Sequence, residues 1–308
     1  MEKLSENTTR RPFRKHQLLR FLALGSCFWL GVLSASEVAE ELSRVPQPNS
    51  LSSLDKASGW TLLFDGKTTS GWRGFRKPGF PHECWSVEAG VLKRVKQSGG
   101  KQEECGDIVT VDQFDNFEFQ LEWKIEPGGN SGVKYLIQED RPSSWEQAYL
   151  DYHRETLKKS GRTEPPEKLI PDRWKYSAMG FELQLIDDQK NSDARSSSDR
   201  ITGSLYDLLA PTHRSAISLT DFNTARILVR GRHIEHWING VKVIEFFRGS
   251  PELQQRIADS KFRHLTGFGS CVKGHIVLQD HNSEVLFRNI KVRQLSDPEG
   301  AGKVQSGS

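Results

Sequence analysis

The chain has 308 residues, 35% of them hydrophobic and 27% charged, with 26 Gly and 13 Pro, a balance that excludes collagen-like, coiled-coil and disordered chains. Its net charge of +3 belongs to the first 36 residues, where Lys3, Arg10, Arg11, Arg14, Lys15 and Arg20 outweigh Glu2 and Glu6, so the remainder stands at −1. A near-neutral remainder argues against nucleic acid as a partner, because that affinity rests on a basic surface that neutralises phosphates.

Residues 10–15 are basic, 18–33 are largely apolar, and the small residues Ser34, Ala35 and Ser36 precede acidic Glu37, Glu40 and Glu41. That is the order of an export signal peptide over 1–36. The apolar stretch after Arg20 is too short for a bilayer-spanning helix, which needs ~20 residues, so no stable membrane span is expected after cleavage. The 9–15 segment also resembles a twin-arginine signal, and Leu24-Gly25-Ser26-Cys27 a lipoprotein box. The apolar run continues past Cys27, which favours plain cleavage and a periplasmic or extracellular protein. Three cysteines are left in the mature chain, Cys84, Cys105 and Cys271. At most one bridge can form among them. Cys84 and Cys105 flank a hairpin read over 84–91 and 106–111, which makes them the favoured pair, and three buried thiols are the alternative.

Residues 37–58 read as a linker and 296–308 as a flexible tail. Between them short β-type runs recur at 60–64, 85–95, 117–125, 131–138, 181–186, 225–229, 235–238, 241–246, 276–278 and 285–292. Their spacing predicts an all-β antiparallel sandwich or barrel. The 117–125 run alternates apolar and polar residues, and Asn239-Gly240 between two runs is a hairpin turn whose two positions need positive φ. Two helices interrupt the strands. One has Ser144 as N-cap, runs over 145–159 and stops at Gly161; the other starts at Ser250-Pro251 and ends near Ser260. The first lies in a polar stretch, 139–177, read as a lid or rim insertion.

The chain carries no P-loop, no Gly-x-Gly-x-x-Gly opening a helix, no Gly-x-Ser-x-Gly and no His-Glu-x-x-His, so nucleotide-driven and serine-hydrolase chemistry are not expected. Polar residues on strands stand out instead. Period two puts Glu182 and Gln184 on one face of the 181–186 run and Phe181, Leu183 and Leu185 on the other. A mid-strand carboxylate can act as general acid or base, although a solvated sheet face would look the same. The 275–278 run ends in Gln279, Asp280, His281 and Asn282, where His281 could be a base or a metal ligand oriented by Asp280. Asn130-Ser131-Gly132 after Pro127-Gly128-Gly129 is a third polar, Gly-rich segment.

In order along the chain, Gly59-Trp60-Thr61-Leu62-Leu63-Phe64-Asp65-Gly66-Lys67, Gly106-Asp107-Ile108-Val109-Thr110, Glu122-Trp123-Lys124-Ile125 with Gly129-Asn130-Ser131-Gly132-Val133, and Phe181-Glu182-Leu183-Gln184-Leu185-Ile186-Asp187-Asp188 are followed by Gly203-Ser204-Leu205-Tyr206-Asp207-Leu208. Then come Glu235-His236-Trp237-Ile238-Asn239-Gly240, Lys273-Gly274-His275-Ile276-Val277-Leu278-Gln279-Asp280-His281 and Phe287-Arg288-Asn289-Ile290-Lys291-Val292. Together they resemble the 3-keto-disaccharide hydrolase family over about 59–295. The resemblance implies a two-sheet antiparallel β-sandwich, a jelly roll of concanavalin A-like type, with 139–177 as a helical rim insertion longer than the family's loop. It implies a carbohydrate partner and cleavage of glycosides already oxidised to a ketone at C3. Such a ketone acidifies the C2 proton, so a base can remove it, the glycosidic oxygen can be expelled from C1, and water can add to the enone. Glu182, Asp280 and His281 are the positions that could supply base and acid. Asn130, Gln184, Tyr206 and Arg288 could bind hydroxyls and the oxyanion. No cofactor is implied for certain, and a divalent metal between Glu182, Asp280 and His281 is an open option. The alternative function is a noncatalytic carbohydrate-binding module of the same fold.

If Ser36 precedes the cleavage site, the exported protein begins at or near Glu37. N-terminal sequencing checks this, and an intact Met1 or a lipid on Cys27 would contradict it.

Overall fold

Alternation along 117–125 builds the centre of the molecule. In the computed structural model, which describes residues 47–95, 105–140, 142–159, 161 and 177–296, this run is a nine-residue strand, Phe117–Ile125. Phe117, Phe119, Leu121, Trp123 and Ile125 are fully buried on one side of it. The signal peptide 1–36, the first part of the linker and residues 297–308 of the tail lie outside the described residues.

Thirteen strands are numbered along the described chain: β1 Thr61–Leu62, β2 Trp72–Gly74, β3 Trp85–Glu88, β4 Val91–Arg94, β5 Ile108–Thr110, β6 Phe117–Ile125, β7 Asn130–Ile137, β8 Phe181–Ile186, β9 Asn223–Arg230, β10 His233–Ile238, β11 Val241–Phe247, β12 His275–Leu278 and β13 Val285–Gln294. They form two sheets in which neighbouring strands are antiparallel. An eight-stranded sheet runs β11-β10-β9-β6-β13-β4-β3 with β1 also on β13, and a five-stranded sheet runs β2-β5-β12-β7-β8. The fold is thus the expected sandwich. One hydrophobic cluster joins the inner face of β6 to Ile108, Val133, Tyr135, Leu183, Leu185 and Leu278 of the other sheet. Fully burying each large side chain contributes ~1.5–3 kcal/mol. A polar contact crosses this core: Tyr135 and His236 meet at 2.7 Å, with the second ring nitrogen 3.3 Å from the Gly203 carbonyl. Burial lowers the His236 pKa to about 4, so the ring is neutral and can donate to one partner and accept from the other.

Three local readings are corrected. The 85–95 run is not one strand, because Ala89 and Gly90 turn with φ of 48° and 78° and fold β3 back on β4. The hairpin read over 84–91 and 106–111 is therefore absent; β5 lies in the other sheet, between β2 and β12. Cys84 and Cys105 are nonetheless bridged, with Cα atoms 5.6 Å apart, and the bond ties the entry of β3 to the entry of β5, one in each sheet. The third correction is the N-cap at Ser144. The rim helix, Ser143–Lys159, begins two residues earlier than the expected 145, just after Pro142.

Between Ser52 and Ser58 a short helix α1 occupies Ser53–Ala57, closed by a Ser52/Asp55 capping box, and the rim helix is α2. Part of the expected linker is docked: Asn289 donates its backbone N–H to the Asn49 side chain (2.8 Å), Asn49 donates to Gly90 O (2.7 Å), and Lys291 pairs with Asp55 (2.7 Å). Helix α3, Pro251–Asp259, has Ser250 as N-cap and Pro at its first turn as the sequence signals. The Asn239-Gly240 turn has the expected positive φ at both positions.

Replacing Cys84 and Cys105 by Ser opens a cross-link between residues 21 apart. The chain-entropy account gives a loss of about 3 kcal/mol, to be read as a lower urea midpoint at unchanged slope.

Candidate active site

The outer face of the five-stranded sheet, the side away from the core, carries the polar set. Register pairs Gly132 with Gln184 and Lys134 with Glu182 across β7 and β8, so all four share one face, while Phe181, Leu183 and Leu185 point into the sandwich. This is the alternation expected from the sequence, but the face is not wet: Glu182 and Gln184 are 6% and 1% exposed. The chain that follows β8 closes its free edge. Gly203 donates to Gln184 O, Gln184 to Ser204 O, and Tyr206 to Glu182 O, at 2.9–3.1 Å. A turn at Lys261–His264, helix α2 and the end of β12 complete the walls of a cavity of about 480 Å³.

Glu182 is set into this cavity. Gly132 makes room for it, since a Cβ at that position would overlap the Glu182 carboxylate. Among the described residues no cation lies within ion-pairing distance of Glu182. Burial pushes its pKa up to about 7; Lys134 opposes that shift and Asp107 adds to it. The Gln184 amide, turned so that its nitrogen meets Ser131 O (3.0 Å) and Glu182 Oε1 (3.2 Å), holds the carboxylate laterally. Beside it, Lys134 is committed to Asp107 at 2.8 Å and to the Ala178 carbonyl at 2.9 Å. Asp107 accepts in addition from Ala178 N (2.8 Å) and Asp280 N (2.9 Å).

The residues singled out in the sequence separate. Glu182, His281, Asp280, Asn130, Gln184 and Tyr206 all line the cavity. His281 is exposed at its wall. Asp280 is held by structure: its carboxylate lies against the buried Arg94 guanidinium, Nε to Oδ1 2.7 Å, as an ion contact rather than an aligned hydrogen bond. It also accepts from Gly106 N (3.1 Å) and Asn282 N (2.8 Å), so it shapes the loop that carries His281. Tyr206 donates to Asp193 at 2.8 Å, and burial followed by the Asp193 charge raises its pKa above the usual phenol range. Arg288 is a correction. It sits on β13 in the other sheet, pairs with Glu122 at 2.7 Å and stacks over Phe222 at 3.9 Å, outside the cavity. Period two gave its face relative to its strand neighbours but not which sheet that face belonged to.

The sequence leaves a divalent metal open for Glu182, Asp280 and His281. Among the described residues, the set of three His or carboxylate donors within 4.8 Å of one another is His233, Glu235 and Glu245 on the β10–β11 hairpin, where Lys242 already bridges both glutamates. Glu182, Asp280 and His281 do not converge in that way. What sequence reasoning missed are Asp107, Lys134, Arg200 and Lys261. Lys134 carried a signal, since it is a charge inside an otherwise buried run; Lys261 carried none, being one basic residue in the polar turn after α3. Arg200 pairs with Asp193 (2.9 Å) and with Asp207 through Nε (2.7 Å) and stacks on Tyr206.

A buried carboxyl that titrates near neutrality, flanked by amides and a phenol, suits proton transfer on a polyhydroxylated ligand. Comparison with known proteins gives the family. A family model described as a 3-keto-alpha-glucoside-1,2-lyase-like domain matches residues 59–293. A 3-keto-disaccharide hydrolase of Bacteroides thetaiotaomicron is 30% identical over 279 residues, covering 85% of this chain and 88% of that protein. A crystal structure from Parabacteroides distasonis ATCC 8503, provisionally assigned as a glycosyl hydrolase, superposes with a TM-score of 0.62 at 28% identity, over 81% of this chain and all of the other.

The raised Glu182 pKa has a measurable cost. Between the ordinary value of 4.5 and about 7 the folded chain holds a proton that an unfolded carboxyl releases, so stability falls as pH rises through that window. Glu182→Gln removes the dependence. Urea unfolding is expected to show the variant gaining about 3 kcal/mol relative to the parent between pH 4 and pH 8.

Proposed function

We propose that this chain, which belongs to the 3-keto-alpha-glucoside-1,2-lyase-like family, is an exported enzyme that cleaves the glycosidic bond of 3-keto-glycosides, 3-keto-disaccharides among them. The observation that carries the reading is Glu182, a carboxyl with a pKa of about 7 set, among the described residues, without an ion-pair partner in a sugar-sized cavity. At neutral pH a substantial fraction is ionised, and its raised pKa makes the ionised form a stronger base than an ordinary carboxylate. It removes the C2 proton that the C3 ketone has acidified. The resulting enolate expels the glycosidic oxygen from C1, and water adds to the enone. Gln184 and Asn130 bind sugar hydroxyls, Tyr206 does so from the segment along the edge of β8, and His281, exposed to solvent, serves the water that adds. Asp280 positions His281 through its own loop.

Two competing readings have less support. A conventional glycosidase needs two carboxyl groups facing each other across the bond, one acid and one base or nucleophile. Here Asp280 is engaged by Arg94, Asp107 by Lys134 and Asp193 by Arg200, whereas Glu182 has no cation partner among the described residues. A binding module would present an aromatic platform for sugars. Among the described residues Trp72, Trp85, Trp123 and Trp145 are buried, and Trp60 and Trp237 lie beneath Arg293, Lys291 and Arg226.

The mature protein should act on a 3-keto-disaccharide and leave its unoxidised parent intact, because without the ketone the C2 proton is too weak an acid for a side-chain base. In heavy water the released 3-keto sugar should carry deuterium at C2. Glu182→Gln should lower kcat by roughly two to four orders of magnitude, while Gln184→Ala should act mainly on KM. Cleavage of the parent at a comparable rate, or product without label at C2, returns the conventional glycosidase.

A further inference from the structure

A second recess, of about 420 Å³, adjoins the main cavity between α2 and the turn after α3. The two spaces have three lining residues in common, Tyr152, Arg200 and Lys261. A substrate that extends from one into the other must pass these side chains. Arg200 is already held by Asp193 and Asp207. Lys261 is different. Its ammonium lies 4.1 Å from the ring centroid of Tyr206 and 5.2 Å from that of Phe262. Among the described residues no carboxylate comes within ion-pairing distance of it. Two aromatic faces hold the cation in place without neutralising it, and its three N–H donors remain available to an incoming oxygen.

The bond to be broken fits that junction. If the oxidised ring occupies the main cavity with C2 at Glu182, C1 is the next atom and the glycosidic oxygen the one after. The second sugar then needs a space of its own, and the recess is the space that opens there. The geometry points to Lys261 as the group that donates the proton to the leaving glycosidic oxygen of a 3-keto-disaccharide whose second sugar sits in this recess. The assignment rests on the elimination reading above. The Glu182 carboxylate takes the C2 proton, and the C–H electron pair becomes the C1=C2 bond by way of the enolate. The C1–O bond breaks with its electron pair going to oxygen, and that oxygen takes a proton from the Lys261 ammonium. Water then adds its hydroxyl to C1 and returns a proton to the amine, and the Glu182 carboxylic acid, its proton exchanged with solvent after the leaving sugar has gone, protonates C2. Both side chains end as they began, and the net reaction is hydrolysis. Burial also lowers the Lys261 pKa, which makes it a stronger acid than a solvated lysine; Asp207 and Glu182 act in the opposite sense. His281 lines only the larger cavity, away from the bond that crosses the junction. Helix α2 contributes Tyr152, Glu155 and Lys159 to the recess, which gives the rim insertion a role in choosing the leaving group.

The test compares a 3-keto-disaccharide, whose alkoxide leaves only with a proton, with 4-nitrophenyl 3-keto-glucoside, whose phenolate leaves without one. Lys261→Met is expected to lower kcat/KM on the disaccharide by roughly two to four orders of magnitude and to retain most activity on the nitrophenyl substrate, which also shows that the variant is folded. Lys261→Arg keeps the charge but cannot release a proton near neutral pH, so it should behave like the Met variant. Equal losses on both substrates, an unchanged disaccharide rate, or recovery by Arg overturns the assignment. A parent protein inactive on both substrates overturns the elimination reading itself, a failure distinct from one confined to the variants.

Discussion

The buried carboxylate of Asp107 fixes the geometry on which the candidate site depends. One of its oxygens takes the Lys134 ammonium and the Ala178 backbone N–H, and the other takes the backbone N–H of Asp280. Four parts of the chain that are distant in sequence meet there: the entry of β5, the middle of β7, the segment leading into β8 and the end of β12. Neither charge reaches water, so removing one partner would leave the other buried and uncompensated, a loss of the order of 3–5 kcal/mol. The pair also sets the field around Glu182, since Lys134 favours its ionised form and Asp107 opposes it.

Around that fixed point the two sheets handle the same problem differently. Each has an apolar inner face and a polar outer one. On the eight-stranded sheet the outer face is neutralised: Glu118 is paired with Arg226 and Arg293, Glu122 with Arg288 and Asn289, and the arginines cover aromatic rings. On the five-stranded sheet the outer face is roofed by α2 and the turn after α3, and its charges are left incompletely matched. Among the described residues Glu182 has no cation of its own, and Lys261 rests on aromatic rings. A matched face stabilises the fold, whereas an unmatched and desolvated one stores reactivity at some cost in stability.

The core supports this unevenness. The Tyr135–His236 contact links β7 of one sheet to β10 of the other and reaches the Gly203 carbonyl. Gly203 in turn bonds to the backbone of Gln184, and the strand-like segment it begins carries Tyr206 to the cavity wall. A polar bridge between the sheets thereby braces the edge of β8 beside the carboxylate. The disulfide at the entries of β3 and β5 restrains the opposite end of the five-stranded sheet, close in sequence to Asp107.

Local chemistry was legible in the sequence where a short-range rule decides it. Period-two alternation identified β6 and β8 with their boundaries and put Glu182 and Gln184 on one face; Asn239-Gly240 marked the β10–β11 turn, and Ser250-Pro251 the start of α3. The same rule could not say which sheet a face belonged to, so Arg288 was grouped with residues that lie across the sandwich from it. It could not show that Asp280 answers to Arg94, nor that the Cys84–Cys105 bond joins two sheets instead of closing one hairpin. Asp107, Lys134 and Lys261 acquire their roles through partners tens of residues away. Backbone pattern is a property of neighbours in the chain and can be read there. Desolvation, ion pairing and the shape of a cavity belong to neighbours in space, and only the packed sheets bring those together.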